Sequence, residues 1–169
     1  GTGNLAKRFH ENGQNYFGLD ASQNMIDIAQ KKNKDSTFIL GNMRRFELEK
    51  PVDAIIITER STSYLTNNED ITDTFESVYR NLNPNGVFIF DIIDANRFIP
   101  FIKENELIIH EATYKEIQYT RESHWETTPL ENFLLDWRAN YCKITTDNKK
   151  EILLEDFSTV RVFTLNEIE

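Results

Sequence analysis

The chain has 169 residues, 39% of them apolar, 28% charged and 12% aromatic, with a formal net charge of −9. That length suits a single domain with a buried core, and so negative a charge argues against a nucleic-acid backbone or an anionic membrane surface as the main partner, since either needs a basic footprint. A single cysteine, Cys142, excludes an internal disulfide, and the three histidines stand in no spacing that would hold a metal. No signal sequence and no apolar run of about 18 residues is present, so a soluble cytoplasmic protein is the expectation.

The chain opens on Gly1-Thr2-Gly3-Asn4-Leu5-Ala6, two glycines one residue apart, followed by a helical pattern with Leu5, Ala6 and Phe9 on one face. Glycine is needed where backbone passes close to a ligand or adopts positive φ. Asn15-Tyr16-Phe17-Gly18-Leu19-Asp20 is then a short apolar run ending in a carboxylate. An acid about 20 residues after a glycine turn, at the end of the next strand, suits a grip on ribose hydroxyls and points to a nucleoside-containing cofactor. Gly1-x-Gly3-x-x-Ala6 with Asp20 equally satisfies the dinucleotide fingerprint, and a glycine turn that serves packing alone is the plainest alternative. These residues by themselves do not separate the three.

Ser22 caps a helix from Gln23 to about Lys32, with Met25, Ile26 and Ala29 as its apolar stripe. A β-rich run from Ser36 to Leu40 leads into Gly41-Asn42-Met43. Pro51 sets off Val52-Asp53-Ala54-Ile55-Ile56-Ile57-Thr58, whose unbroken apolar centre predicts a strand buried on both faces of a parallel sheet. Asn67-Asn68-Glu69-Asp70 starts a helix whose buried face is read as Ile71, Phe75, Val78, Tyr79 and Leu82, ending near Asn83-Pro84. Asn85-Gly86 turns into a second buried strand, Val87 to Ile93. This rhythm is that of βαβ units in a doubly wound α/β sheet.

After Asn96 the rhythm stops. A short helix over Arg97 to Lys103 is expected, then alternating runs at Leu107–Tyr114, Gln118–Trp125, Phe133–Ile144 and Ile152–Phe163, with a turn at Asp147-Asn148. Alternation of this kind predicts an antiparallel sheet appended to the parallel one. The organisation expected is a cofactor-binding core over residues 1–96, an acceptor-side β insertion over 97–164, and the start of a helix returning to the core over 165–169. No strand precedes the glycine turn, and Thr164 to Glu167 reads as a capping box opening a helix, so further sequence is expected on both sides.

Taken in order, Gly1-Thr2-Gly3-Asn4, Leu19-Asp20-Ala21-Ser22-x-x-Met25, Gly41-Asn42-Met43, Val52-Asp53-Ala54-Ile55 and Leu82-Asn83-Pro84-Asn85-Gly86 resemble the class I S-adenosylmethionine-dependent methyltransferases, over roughly residues 1–95. The resemblance implies a Rossmann-like fold with S-adenosylmethionine as cofactor. It places Gly1 and Gly3 against the methionyl part, Asp20 on the ribose, Ala21, Met25 and Met43 around the adenine, and Thr58 in the loop beside the sulfonium. Asn42 stands where the family usually has an aspartate accepting from the adenine amino group, a departure that keeps an acceptor oxygen without its charge. The appended sheet, with Trp137 and the run from Glu155-Asp156 to Leu165, resembles the insertion of glycine-type and amino-sugar N-methyltransferases, which implies a small-molecule acceptor methylated at nitrogen, with oxygen next.

Methyl transfer from a sulfonium is an in-line displacement in which alignment does most of the work, and a neutral amine needs only a group to take its proton. Tyr64, Glu59 and His124 are the candidates by type and place, with His110 a further histidine to weigh. Glu59 and Arg60 are unusual in that loop and are expected to form an ion pair or to face a charged substrate. Phe98, Phe101, Trp125 and Trp137 are either an acceptor wall or core. The other readings are a nicotinamide-dependent oxidoreductase, which leaves Gly41-Asn42-Met43 and Asn83-Pro84-Asn85-Gly86 without a role, and a non-catalytic cofactor-binding module. Strands of the appended sheet offer edges for pairing across a homodimer.

Overall fold

The computed structural model describes residues 1–127, 133–145 and 149–168. Its elements run α1 (Asn4–Glu11), β1 (Phe17–Asp20), α2 (Gln23–Lys32), β2 (Thr37–Leu40), β3 (Val52–Ile57), a 3-10 helix (Ser61–Tyr64), α3 (Asn68–Asn81), β4 (Leu82–Phe90), α4 (Ala95–Glu104), β5 (Leu107–Tyr114), β6 (Ile117–Thr127), β7 (Leu134–Ile144), β8 (Lys150–Arg161) and α5 (Leu165–Ile168). The turn expected at Asp147-Asn148 lies outside the described residues. Two compact units result: Gly1–Ile55 with Glu69–Phe88, and Ile56–Asn68 with Ile89–Glu169. No helix among the described residues is long and apolar enough to cross a membrane.

In the first unit β1 and β2 pair in parallel, Asp20 opposite Leu40. Their crossover, α2, starts at Ser22, whose extended backbone (φ −99°, ψ 116°) lets its hydroxyl accept from the Met25 N–H. Ile26 and Ala29 of α2 pack with Ala6 of α1 and Phe38 of β2. Met25 and Leu5, expected on the buried faces, are exposed. The contact is made by Ile26 and Ala29 one turn apart and by the small Ala6, a stripe too narrow to reach either neighbour.

Helix α3 buries Thr74, Ser77, Val78 and Asn81, while Tyr79, expected inside, is 83% exposed. Hydrogen bonding decides this face. Ser77 Oγ donates to the Arg44 carbonyl (2.9 Å), and Asn81 donates to the Phe46 carbonyl (3.1 Å) while accepting from the Leu48 N–H (2.7 Å). An Arg44–Asp70 ion pair at 2.8 Å adds to the same seam. Polar side chains are buried here because each has its partner, a burial that apolar spacing does not register.

Strands β3 and β4 pair with each other. Phe75 of α3 meets Phe88 of β4 edge-on at 5.5 Å. Burial on both faces does not hold in this chain: Ile56, Val87 and Ile89 are exposed, so the apolar runs are covered on alternate residues only. The second strand also ends at Phe90 rather than Ile93, whose side chain joins the core of the other unit.

The second unit is built on the antiparallel sheet β5-β6-β7-β8. Its runs were legible from alternation, and its core gathers Ile93, Ala95, Ile102, Leu135, Val160 and Val162, with Phe98 and Trp125 against them. Residues 56–68 and 89–96 belong to this unit although they precede the insertion in sequence. Half of the expected capping box is present: the Glu167 carboxylate accepts from the Thr164 N–H (2.8 Å) and hydroxyl (3.0 Å) and, on its other oxygen, from Arg161 (2.9 Å), while the Glu167 N–H donates to the Thr164 carbonyl. Burial pulls the Glu167 carboxyl upward, but the Thr164 N–H and the Arg161 guanidinium outweigh it and hold the group below its ordinary value. A lowered folded pKa means that the stabilisation is complete above the unfolded value of about 4.3 and is lost as pH falls through the folded one. An NMR carboxyl titration is therefore expected to place Glu167 below an unstructured glutamate, and a midpoint at or above that reference would contradict the cap.

Candidate functional site

Three loops of the first unit meet at the C-terminal ends of β1 and β2, where open α/β sheets bind ligands. Gly3 caps α1 in the left-handed region (φ 71°, ψ 24°). Its carbonyl accepts from Asn33 Nδ2 at 3.0 Å. A Cβ on Gly3 would stand 2.7 Å from Asn33 Nδ2 and 3.0 Å from Phe38 Cζ, whereas one on Gly1 would meet nothing within 4 Å. Gly3 is thus fixed by backbone and packing. A Gly3→Ala variant combines left-handed strain with this contact and is expected to destabilise the protein by about 1–3 kcal/mol, read from its urea midpoint; an unchanged midpoint would contradict that reading.

Asp20 ends β1, with one carboxylate oxygen accepting from the Ser22 N–H at 2.8 Å and the other beside Gly1. The Ser22 bond fixes the carboxylate at the strand end, next to the glycine turn. The Asp20 carbonyl accepts from the Gly41 N–H at 2.9 Å, tying the loop after β2 to the end of β1. In that loop Asn42 Oδ1 accepts from the Arg44 N–H at 3.0 Å, so part of the acceptor capacity expected to serve the adenine shapes the loop instead. Ala21, Met25 and Asn42 are exposed, and Gly41 and Met43 are half-buried. The structure brings together Gly1, Asp20 and the Gly41–Met43 loop, and the exposure of Met25 fits a side chain offered to a ligand rather than to the core.

In the second unit the chain leaves β3 through Thr58 into Glu59 and Arg60, both with positive φ (59° and 64°). The Thr58 carbonyl accepts from Ser61 Oγ at 2.8 Å, and Asp91 accepts the Arg60 N–H at 2.8 Å. The expected Glu59–Arg60 ion pair is absent among the described residues, because the Arg60 guanidinium lies over the Phe98 ring at 5.9 Å. Phe98 stands edge-on to Trp125 at 5.0 Å and Trp125 stacks on Trp137 at 5.7 Å, a ring series packed against the core.

Tyr64 is 48% exposed. Burial, then the charge of Asp156 and the neighbouring Tyr141, raise its pKa, with Arg121 opposing them. The phenol is therefore protonated at neutral pH and suited to donating a hydrogen bond rather than to taking a proton. Arg121, Tyr141 and Asp156 occupy one sheet face: Arg121 is opposite Tyr141, Asp156 is opposite Ala139, and the Arg121 guanidinium sits 5.9 Å over Trp137. His110 Nδ1 lies 3.3 Å from Arg121. His124, between Ser123 and Trp125, points to the other face by strand alternation and is exposed there, so the structure does not join it to Tyr64. Buried on or beside the Tyr64 face are Ser63 Oγ, Ser123 Oγ, Arg121 Nε and Trp137 Nε1, without a hydrogen-bond partner among the described residues. Donors left unpaired in this way suit a polar ligand. Arg121, Tyr141, Asp156 and Asp91 were missed in the sequence; the alternation Arg121-x-Ser123-x-Trp125 was the available signal for the first.

A family described as a methyltransferase domain matches residues 1–86. The putative methyltransferase YqeM of Bacillus subtilis is 35% identical over 96 residues, 54% of this chain and 39% of that protein. The dTDP-3-amino-3,4,6-trideoxy-alpha-D-glucopyranose N,N-dimethyltransferase of Streptomyces venezuelae is 30% identical over 91 residues, 54% of this chain and 38% of that protein. The chain thus spans about two-fifths of the length of these curated relatives. Among solved structures, Streptomyces venezuelae DesVI superposes with a TM-score of 0.81 at 21% identity, covering 99% of this chain and 68% of that one, which shows a shared fold that includes the appended sheet.

Proposed function

This chain belongs to the methyltransferase domain family, and on that premise we propose that it transfers a methyl group from S-adenosylmethionine to the nitrogen of a small-molecule acceptor. The observation that carries the reading is the meeting of the Gly1–Gly3 turn, the Asp20 carboxylate and the Gly41–Met43 loop at the ends of β1 and β2. Asp20 would hold the ribose, Gly1 and Gly3 the methionyl part, and Ala21, Met25, Asn42 and Met43 the adenine. Bound S-adenosylmethionine supplies an activated methyl, which leaves the protein to align a neutral amine and exclude water. The first unit serves the cofactor, and the second, with its antiparallel sheet, serves the acceptor side.

Tyr64, held protonated, orients the acceptor by hydrogen bonding, and Glu59, exposed on the same loop, takes the amine proton. His124 lies on the face away from Tyr64 and is given no part. The unpaired donors at Ser63, Arg121, Ser123 and Trp137 suit an acceptor molecule that carries hydrogen-bond-accepting oxygens, and the substrate named for the Streptomyces venezuelae relative, an amino sugar on a nucleoside diphosphate, is of that kind. An amino sugar carried on a nucleotide is therefore the proposed acceptor. The compartment is the cytoplasm, the partners are small molecules rather than nucleic acid or membrane, and exposed Ile152, Leu153 and Leu154 along the edge strand β8 support a homodimer.

The test is incubation with S-adenosylmethionine and dTDP-3-amino-3,4,6-trideoxy-alpha-D-glucopyranose, followed by mass spectrometry. Gain of methyl groups on the sugar, with S-adenosylhomocysteine released, is expected. Cofactor binding with no methylation of this or any other amine would leave a non-catalytic module as the better description.

A further inference from the structure

We propose that Asp91 is the positioning residue that holds the turn after β3 in its left-handed form and so presents Glu59 and Tyr64 to the acceptor. The inference rests on the function proposed above. Side chains adopt the left-handed region rarely and keep it where the surroundings enforce it. Here two such residues follow one another, Glu59 (φ 59°) and Arg60 (φ 64°), and neither is a glycine. Both are exposed, and the Arg60 guanidinium over the Phe98 ring is at the far end of a long side chain, so packing does not fix their backbone.

Hydrogen bonds do, and three of them end on one residue. Asp91 Oδ1 accepts the Arg60 N–H at 2.8 Å, the Asp91 carbonyl accepts from the Thr62 hydroxyl, and the Asp91 N–H donates to the Ile57 carbonyl at 3.2 Å. Asp91 thereby joins the last residue of β3, the strained turn and the 3-10 helix that carries Tyr64. The backbone bonds survive any substitution. The carboxylate bond does not, and it is the one that reaches the left-handed residue. A charged acceptor makes it stronger than a neutral pairing, which accounts for an aspartate at this point.

Four proteins test this: wild type, Asp91→Ala, Asp91→Asn and the double variant Asp91→Ala with Arg60→Gly. Asparagine keeps an oxygen at Oδ1, and glycine takes positive φ without strain. Amide hydrogen exchange at Arg60 is the first readout, expected about tenfold to a hundredfold faster in Asp91→Ala and close to wild type in Asp91→Asn. The second is steady-state methylation of dTDP-3-amino-3,4,6-trideoxy-alpha-D-glucopyranose. Misplacement of the loop should lower kcat by about tenfold or more while the Kd for S-adenosylhomocysteine, held by the other unit, stays unchanged. The double variant should recover most of the lost kcat, a rescue that general destabilisation would not give.

Unchanged exchange at Arg60 in Asp91→Ala overturns the proposal, as does a kcat loss that the glycine does not relieve. If wild type fails to methylate this amino sugar, the acceptor assignment is what fails, and the exchange rates still decide whether Asp91 holds the turn.

Discussion

An Asp20→Ala variant is expected to bind S-adenosylhomocysteine about a hundredfold more weakly than wild type, since hydrogen bonds to a charged group contribute roughly 1.5–3 kcal/mol each. The carboxylate is placed for this by two local facts. One oxygen is engaged by the Ser22 N–H at 2.8 Å, which fixes the rotamer, and the other is turned to the glycine turn. A donor there meets a full negative charge already in position, so little ordering is needed on binding. Asp20→Asn keeps the shape and one acceptor oxygen, and its loss should be smaller. Calorimetric titration reads both, and a melting curve of the unliganded variants separates affinity from folding, because losing the Ser22 bond also loosens the start of α2. Affinity within about threefold of wild type would remove Asp20 from the site.

The second large effect is on stability. Phe163→Ala is expected to lower the unfolding free energy by about 3–5 kcal/mol, the usual range for emptying an aromatic position in a closed core. Phe163 is 2% exposed, and the Arg161 guanidinium lies 5.0 Å from its ring centre. Its N–H donates to the Ile93 carbonyl and its carbonyl accepts from the Ala95 N–H, each at 2.8 Å. Those backbone bonds remain in the alanine variant, so the loss belongs to the ring and to the void it leaves. Arg161 also spans Asn68 (2.8 Å) and Glu167 (2.9 Å), and a collapsed ring would disturb that bridge. Urea unfolding followed by tryptophan emission measures the change, and a shift under about 1 kcal/mol would show that the core repacks around the gap.

The elements that sequence made legible are those in which periodicity and capping agree. Ser22 precedes a helix with a side chain that bonds its first turn, and Thr164 precedes one with the box partner in place. The four alternating runs became four antiparallel strands because one face of that sheet has core to bury. What sequence hid falls into two kinds. Apolar side chains outside the packing stripe, Met25 and Tyr79 among them, look like core by type and are excluded by geometry alone. Polar residues buried through their own bonds, Ser77 and Asn81, look like surface by type.

The same division holds for the candidate site. Gly3, Asp20 and Gly41-Asn42-Met43 were found through short motifs whose spacing is local to single loops. Arg121, Tyr141 and Asp156 come from three different strands, and only register places them on one face with Tyr64 above. Asp91 reaches Arg60 across 31 positions of sequence, a distance at which no spacing rule applies. Sequence therefore gave no means of weighing Glu59-Arg60 as a strained turn rather than an ion pair.

Calorimetric titration of wild-type protein with S-adenosylhomocysteine, run beside NAD, tests the central claim most directly. Saturable binding of the sulfur nucleoside without measurable heat from the dinucleotide is the predicted result. Binding of NAD in its place, or of neither, would contradict the assignment of the glycine turn, Asp20 and the Asn42 loop to an S-adenosylmethionine cradle.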